Sequence, residues 1–377
     1  MLSNPAIYAP VFYNTVLVLV LLKCISLVTK SNFDENKIDK IDKIKAYLLC
    51  FAIIVFFGVR PISGRYFGDT NNYANFYERY LLTGEFIEKG EWLWTLIMTT
   101  CADFGLSVNG WFILIDFLYV GILIWASSRI KRDNIYLLIL LFISAFGFFS
   151  GAVNGLRIGL ATSIFILALT YIFSNRTAKV FAILLFFAAF SIHKSIILPV
   201  FCLLCSIFFF KNIFKNIRYP VYFWLLSVIL LLLFGNFFIS IIESLGLFSF
   251  DDRMAIYTSG EGISSKAVLD KGGFRWDFLL YSFLPIAFGW YITIKRKIED
   301  RVYIILINTY TLANSFWILM MYANFSNRFV SLSWFLYPLL LVYPLIKFNL
   351  WENQNRKIAL ILFGNMFFTY FMWLIGR

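Results

Sequence analysis

Residues 11–28 read VFYNTVLVLVLLKCISLV, an apolar run that contains one charged residue, Lys23. A membrane-spanning helix needs about 20 mainly apolar residues, and stretches of this kind recur along all 377 residues of the chain. The chain is 61% hydrophobic and only 14% charged, which is more apolar surface than a soluble domain can bury. The sequence therefore predicts an all-α polytopic membrane protein in which residues 1–377 form a single integral membrane domain.

Apolar length and periodicity predict about twelve membrane-spanning helices. They are expected at 10–29, 45–59, 108–126, 135–150, 156–173, 179–192, 195–210, 219–242, 276–294, 302–322, 329–346 and 357–375. No Lys or Arg precedes the first of them, which argues against a cleaved signal peptide. Twelve spans place 21 of the 33 Lys and Arg in loops on one side. Because positively charged loops face the cytoplasm, both termini are predicted on the outer side.

The formal net charge of +12 is a common feature of nucleic-acid-binding proteins, but here the excess lies in the short loops of one membrane face. Membrane topology explains it, so no nucleic-acid partner is expected. The five cysteines fall mostly in apolar runs, and the CxxC pair Cys202 and Cys205 lies inside a predicted span. The cysteines are interpreted as small core residues. With a single histidine in the chain, no metal site and no cofactor is expected.

Two predicted outer loops are long, 60–107 and 243–275, and are expected to carry short interfacial helices. In the first, Trp92 to Phe104 is apolar but too short to span, and its tryptophans suit the membrane interface. Nearly every ionisable residue of the hydrophobic body clusters at this outer face. They are Arg65, Asp69, Arg157, His193, Lys194, Arg253, Arg275, Asp277 and Arg328. Several arginines with few carboxylates suit a phosphate-bearing substrate, which predicts a polar outer chamber.

Arg157 lies about one turn into an apolar helix, where an unpaired charge is costly. Small residues recur at every fourth position from Gly151 to Ser163, and such a ridge lets a neighbouring helix approach closely. At about 100° per residue, Arg157 points away from the ridge, on the face that carries Asn154. Two interpretations stay open: Arg157 faces a polar cavity, or it extends to the lipid headgroups.

His193 and Lys194 fall in a tight outer turn between two apolar helices. Histidine is the side chain best suited to accept a proton near neutral pH; the alternative is a ring that bonds a nearby carbonyl group. Asp69 lies beside small and amide side chains. Its carboxylate either binds sugar hydroxyls or acts as a base, or it caps the helix that follows.

Arg275 and Asp277 lead into a predicted span directly after Gly272 and Gly273, which allow a ligand to approach the backbone closely. Arg275 is suited to bidentate phosphate binding. The alternative is an ion pair between Arg275 and Asp277. Residues two apart lie on different faces of a helix, which argues against that pair. Arg328 lies at the outer start of another span.

The sequence resembles the EpsG-type, Wzy-like family of polysaccharide polymerases. Short blocks in the family's order carry the resemblance over about residues 60 to 330: Arg65…Gly68-Asp69-Thr70…Tyr73, Asn154-Gly155-Leu156-Arg157, His193-Lys194-Ser195, Arg253…Tyr257 and Gly273-Phe274-Arg275-Trp276-Asp277. The resemblance implies a multi-pass enzyme of the bacterial inner membrane with a GT-C-like fold and an active site facing the periplasm, so the outer side on which both termini are predicted is the periplasm. It implies a metal-independent joining of undecaprenyl-diphosphate-linked oligosaccharide repeats into O-antigen or exopolysaccharide, with a Wzz-type chain-length regulator as a typical partner.

The residues and the resemblance together imply roles for the outer cluster. The candidates for binding the diphosphate are Arg157, Arg275 and Arg328, and Arg65 and Arg253 are candidates for orienting the sugars or a second diphosphate. His193, or failing it Asp69, is the candidate base on the acceptor hydroxyl. The predicted substrate-binding set also includes Asn154, Lys194, Asp277 and Tyr257. A flippase or transporter of lipid-linked oligosaccharide and an O-antigen ligase are the alternatives.

Overall fold

A computed structural model describes residues 3–29, 35–85, 91–209, 213, 215–235, 237, 240–241, 273–323 and 326–376. The described residues are mostly helical, and none of them lies in a strand. The backbone groups into two compact units, the first made of Met1–Ile196 and Leu345–Arg377, the second of Ile197–Pro344. The single integral membrane domain expected from the sequence stays a prediction.

The described helices are numbered in chain order. The first unit contains α1 Tyr8–Val28, α2 Glu35–Gly58, α3 Gly64–Phe67, α4 Thr70–Thr83, α5 Trp92–Asp103, α6 Val108–Ile130, α7 Ile135–Ile143, α8 Phe148–Val153, α9 Leu156–Ile172 and α10 Arg176–Ile192. The second unit contains α11 Ile197–Phe208, α12 Arg218–Phe234, α13 Trp276–Trp290, α14 Arg301–Leu319, α15 Ser326–Trp334 and most of α16 Tyr337–Lys347. The first unit is completed by α17 Gln354–Ile375.

Among the described residues, six helical stretches are long and apolar enough to cross a membrane. They are Pro5–Val28, Val108–Ile130, Trp276–Lys295, Arg301–Leu319, Ser326–Lys347 and Gln354–Ile375. Each has 19 to 24 residues, which at about 1.5 Å per residue is close to the roughly 30 Å thickness of a bilayer core. They indicate a multi-pass membrane protein. The total of twelve spans and the GT-C-like fold stay predictions.

The continuous span expected at 135–150 is wrong, because α7 and α8 are separated by residues 144–147. Backbone groups at this break are bonded by the last helix. Thr369 Oγ1 on α17 donates to the Ser144 carbonyl oxygen at 2.8 Å, and Asn365 Nδ2 donates to the Leu141 carbonyl oxygen at 3.2 Å and to Ser144 Oγ at 2.9 Å. Irregular backbone inside a membrane is tolerated where protein groups satisfy it. The satisfying groups are far away in sequence, so local periodicity could not reveal the break.

The small-residue ridge before Arg157 is divided between two helices. The chain leaves helical geometry at Asn154 and Gly155, so Gly151 belongs to α8 and Gly159 to α9. A Cβ atom added to Gly159 would lie 2.5 Å from the Gly151 carbonyl oxygen. The ridge therefore brings α9 against the helix directly before it, and a larger side chain at Gly159 would separate the two.

Other helix bounds differ less from the prediction. The helix expected near Trp92–Phe104 is present as α5. The span expected at 329–346 is divided into α15 and α16, and the span expected at 45–59 extends back to Glu35. Most of the loop 243–275 lies outside the described residues.

The core of the second unit contains a hydrogen-bonded polar network. Asn314 Nδ2 on α14 donates to Ser282 Oγ and to Ser333 Oγ, each at 3.0 Å. Asn314 Oδ1 accepts from Trp224 Nε1 at 2.8 Å, and Trp334 Nε1 donates to Ser282 Oγ at 2.8 Å. Buried polar groups that satisfy one another stabilise a specific packing. This network holds α12, α13, α14 and α15 in register.

Candidate functional site

Glu91, the residue directly before α5, joins the ends of three helices in the first unit. Its Oε2 accepts a hydrogen bond from Arg157 Nη1 at 2.7 Å, and its Oε1 lies 2.9 Å from His193 Nδ1. Oε1 also accepts the backbone N–H of Lys194 at 3.3 Å. These four residues are called the Glu91 cluster below. The cluster links the beginning of α5, the beginning of α9 and the end of α10.

Arg157 is the second residue of α9, and its side chain is 16% exposed. Its guanidinium carbon lies 5.5 Å from the centre of the Tyr73 ring on α4. The guanidinium is thus held inside the protein by a carboxylate and an aromatic face. This arrangement differs from an arginine that extends to the lipid headgroups. The polar cavity expected beside Arg157 stays a prediction.

His193 ends α10 with an extended backbone, and its N–H still bonds the Ala189 carbonyl oxygen at 2.9 Å. The backbone is therefore fixed while the ring leaves the helix. The ring nitrogen Nδ1 faces the Glu91 carboxylate and not a carbonyl group, and the role of His193 as a base stays a prediction. The His193 side chain is 23% exposed. Lys194 contributes to the cluster through its backbone N–H.

The Glu91 carboxylate is ionised at neutral pH. Burial raises its pKa, but the hydrogen bond and attraction of His193, the charge of Arg157 and the Lys194 N–H outweigh burial and lower the pKa to about 2. An ionised carboxylate only accepts hydrogen bonds. The cluster therefore combines a fixed anion, a guanidinium and an imidazole, which are groups for binding anions and moving protons. In the described part of the chain, no three His, Cys, Asp or Glu side chains could hold a metal ion.

The block around Asp69 docks onto the block that opens α9. The Asp69 backbone N–H donates to Asn154 Oδ1 at 2.8 Å, and Thr70 Oγ1 donates to the Val153 carbonyl oxygen. Gly68 has φ +53°, and a Cβ atom there would lie 2.2 Å from Asn154 Oδ1. Only glycine fits this contact. Two of the sequence blocks therefore meet, and α4, which begins here, brings its tyrosine ring to the Glu91 cluster.

Asp69 itself occupies the cap position of α4, but its side chain makes no capping hydrogen bond. Asn72 Nδ2 lies 3.4 Å from Asp69 Oδ1. Asp69 thus stands at the N-cap position of α4 but does not cap the helix with its side chain. The role of Asp69 as a base or sugar ligand stays a prediction. Arg65 is exposed on α3, with its guanidinium 5.5 Å from the Tyr66 ring. Arg253 and Tyr257 lie outside the described residues.

In the second unit, the argument against an Arg275–Asp277 pair is wrong. Arg275 Nε donates to Asp277 Oδ1 at 2.9 Å, and Arg275 Nη2 donates to Oδ2 at 2.6 Å. Arg275 precedes α13 and has non-helical backbone angles, so the rule about helix faces does not apply to it. Its guanidinium also lies 3.7 Å from the centre of the Phe278 ring. Arg328 is exposed on α15. The convergence of these two arginines with Arg157 stays a prediction.

Sequence reasoning missed a buried ion pair between Arg60 and Asp116, whose side chains are 0% and 1% exposed. Arg60 Nη1 lies 2.9 Å from Asp116 Oδ2 and also donates to the Phe57 carbonyl oxygen at 2.7 Å. Among the described residues, Arg60 Nε, Arg60 Nη2 and Asp116 Oδ1 find no hydrogen-bond partner. An acidic residue inside a predicted span is a signal that could have identified this pair.

Sequence reasoning also missed Glu91, which was grouped with the other carboxylates of the loop 60–107. The available signal was its position directly before Trp92, at the start of an apolar helix too short to span. A carboxylate at such a boundary is costly unless it has a partner. Arg157 and His193, whose side chains contact Glu91, were both identified from the sequence.

Comparisons with known proteins give a family for the chain. No curated protein and no solved structure matches it. A family model described as the EpsG family matches residues 45–377, which include the whole Glu91 cluster. Because this match extends over most of its length, the chain belongs to the EpsG family, which suggests a polysaccharide-polymerase-like function.

Proposed function

We propose that this chain is a glycosyltransferase that polymerises O-antigen or exopolysaccharide at the periplasmic face of a bacterial inner membrane. It transfers a glycan from undecaprenyl diphosphate to the non-reducing end of another lipid-linked repeat unit. The observation that supports this most is the meeting of Arg157 and His193 at one carboxylate. A guanidinium that can stabilise a leaving diphosphate then lies close to an imidazole that can accept a proton.

Arg157 and His193 together account for the charge of the leaving group and the proton of the acceptor in the proposed transfer. The bond between the anomeric carbon and the diphosphate oxygen breaks, and its electron pair leaves with the diphosphate. The acceptor hydroxyl oxygen forms the new bond to the same carbon, and its proton passes to His193. Arg157 stabilises the negative charge that develops on the leaving group. Arg275 and Arg328 are proposed as further ligands of the diphosphate.

The remaining candidates complete the proposal. Asp69 is the alternative base, and Arg65 and Arg253 orient the sugars or the second diphosphate. Proposed contacts to the substrate come from Asn154, Lys194, Asp277 and Tyr257. A Wzz-type chain-length regulator is the proposed protein partner.

The test uses a strain that lacks this chain and is complemented with single variants. Arg157→Ala and His193→Ala are expected to abolish the surface polysaccharide ladder while a one-unit band remains. Arg157→Lys is also expected to lose the ladder, since lysine cannot form the bidentate contact to phosphate oxygens. The matched control is Arg129→Ala, which removes an exposed arginine that bonds Thr170 at 3.0 Å, away from the cluster. This variant is expected to keep the ladder.

Other band patterns would contradict the proposal. Loss of the one-unit band together with the ladder indicates a flippase or a ligase, because both act on every surface-attached unit. Long polymer in both Arg157→Ala and His193→Ala, at normal protein levels, would show that the Glu91 cluster is not the active site.

A further inference from the structure

The chain contains a single histidine, and the Glu91 cluster constrains where that histidine carries its proton. A neutral imidazole has one N–H donor and one bare acceptor nitrogen. Which nitrogen is which depends on the hydrogen bond that the other one makes. We propose that Glu91 is a positioning residue that holds the proton of His193 on Nδ1 and leaves Nε2 as the acceptor.

For a neutral imidazole, the hydrogen-bond geometry favours this tautomer. Glu91 Oε1 lies 2.9 Å from His193 Nδ1, which is a hydrogen-bond distance. An ionised carboxylate can only accept, so a bare Nδ1 at this distance would place two lone pairs against each other. A proton on Nδ1 converts the same contact into a charge-assisted hydrogen bond.

The carboxylate cannot rotate away from this contact without losing others. Arg157 Nη1 donates to its second oxygen at 2.7 Å, and the Lys194 N–H donates to the first oxygen at 3.3 Å. The Glu91 side chain is only 9% exposed, so no water shell replaces these donors. The backbone of His193 is held as well, because its N–H is bonded to the end of α10, and the ring itself is held by its contact with Glu91 Oε1.

The consequence for chemistry rests on the proposed function. With Nδ1 protonated, Nε2 is the nitrogen that takes the proton of the acceptor hydroxyl. The resulting imidazolium carries a proton on each nitrogen, and the Glu91 carboxylate stabilises it through the Nδ1 contact. Glu91 acts through His193 and does not itself gain the proton.

Nuclear magnetic resonance tests the tautomer directly. The protein is purified with a tag that contains no histidine, after growth with ¹⁵N-labelled histidine, so its one imidazole needs no assignment. Spectra are recorded at a pH at which the ring carries a single proton. We expect Nδ1 to give the protonated-nitrogen signal and Nε2 the bare-nitrogen signal. A ring with its proton mainly on Nε2 would overturn the inference.

Glu91→Gln sharpens the test. Arg157 is charged and only donates, so the amide oxygen of the new side chain is expected to face Arg157 and its NH₂ group to face His193, at the cost of the longer Lys194 N–H contact. An NH₂ donor needs a bare Nδ1, and the proton is therefore expected to move to Nε2. A variant that folds as a monodisperse species and still carries its proton on Nδ1 would show that Glu91 does not fix the tautomer. The control is Asp103→Asn, which changes an exposed carboxylate at the other end of α5 and is expected to leave the tautomer unchanged.

The proposed tautomer and the proposed function can be refuted independently of each other. Where Glu91→Gln does not fold, the wild-type spectrum alone decides the inference. A proton on Nδ1 in the wild type together with a normal ladder in His193→Ala supports the tautomer and refutes the base. In a purified assay, Glu91→Gln is expected to lower kcat by on the order of 10²- to 10⁴-fold with little change in KM.

Discussion

Glu91→Gln is also expected to change how the stability of the protein depends on pH. The folded protein lowers the pKa of Glu91 from 4.5 to about 2. Each pKa unit corresponds to 1.36 kcal/mol, so ionised Glu91 contributes roughly 3 kcal/mol to the free energy of unfolding. Because the folded pKa is the lower one, this contribution is complete above pH 4.5 and is lost as the pH falls towards 2. By pH 3 about 2 kcal/mol of it should be gone.

The assay is denaturant unfolding of the purified protein in a mild detergent at several pH values from 5 to 3, below the range in which an ordinary histidine changes charge. The quantity compared is the unfolding free energy of the wild type minus that of Glu91→Gln, which cancels the titration of the other acidic groups. This difference is expected to shrink by about 2 kcal/mol over the range. Asp103→Asn, which changes an exposed carboxylate on α5 that accepts a hydrogen bond from the Tyr80 hydroxyl at 3.0 Å, is the matched control for the assay. A difference for Glu91→Gln that does not change with pH would refute the attribution to this carboxylate.

Two further substitutions test the packing around the site. Gly68→Ala is expected to destabilise the protein by about 1–3 kcal/mol and to reduce polymer length, because Gly68 has φ +53° and the new Cβ would meet Asn154 Oδ1. Denaturant unfolding and the polysaccharide ladder measure the two effects. The control for both is Gly64→Ala, whose new Cβ would have its nearest atom at 3.5 Å. Asp116→Leu is expected to lower the free energy of unfolding by about 3–5 kcal/mol, because it leaves Arg60 buried without a counter-charge. The double variant Arg60→Met/Asp116→Leu is expected to have a free energy of unfolding close to that of the wild type. A double variant as unstable as the single one would contradict that reasoning.

The apolar spans could be predicted because membrane burial leaves a local signal in the sequence. A run such as 11–28 needs no distant partner to identify it as a helix. The breaks within the predicted spans have no such signal. Residues 144–147 are apolar or small, and the groups that make a break tolerable there, Asn365 and Thr369, come from the last helix. Hydropathy therefore predicts which segments lie in lipid, but it does not predict which hydrogen bonds the protein backbone makes there.

The positively charged residues of the candidate site could be predicted from the sequence, whereas the pairing of its carboxylates could not. Arg157 and His193 stand out because each is rare in an apolar surrounding. Glu91 is one of several acids in a loop, and its position directly before the apolar helix α5 is the one local signal that sets it apart from a solvated acid. The pair of Arg275 with Asp277 was argued against by a rule for two residues within one helix, but Arg275 lies just before the helix. Charge pairing depends on where a helix begins, and helix ends are the least certain part of a sequence prediction.

The sharing of one carboxylate by Arg157 and His193 has a consequence for the proposed transfer. With a neutral imidazole, the charges of Glu91 and Arg157 balance, and their attraction offsets part of the cost of burying each charge. When His193 takes the acceptor proton, the cluster gains one positive charge. In the same step the departing diphosphate gains negative charge. The positive field of the site would therefore be strongest when the leaving group needs it, and weaker while the substrate binds, which is the condition for stabilising a transition state more than a ground state.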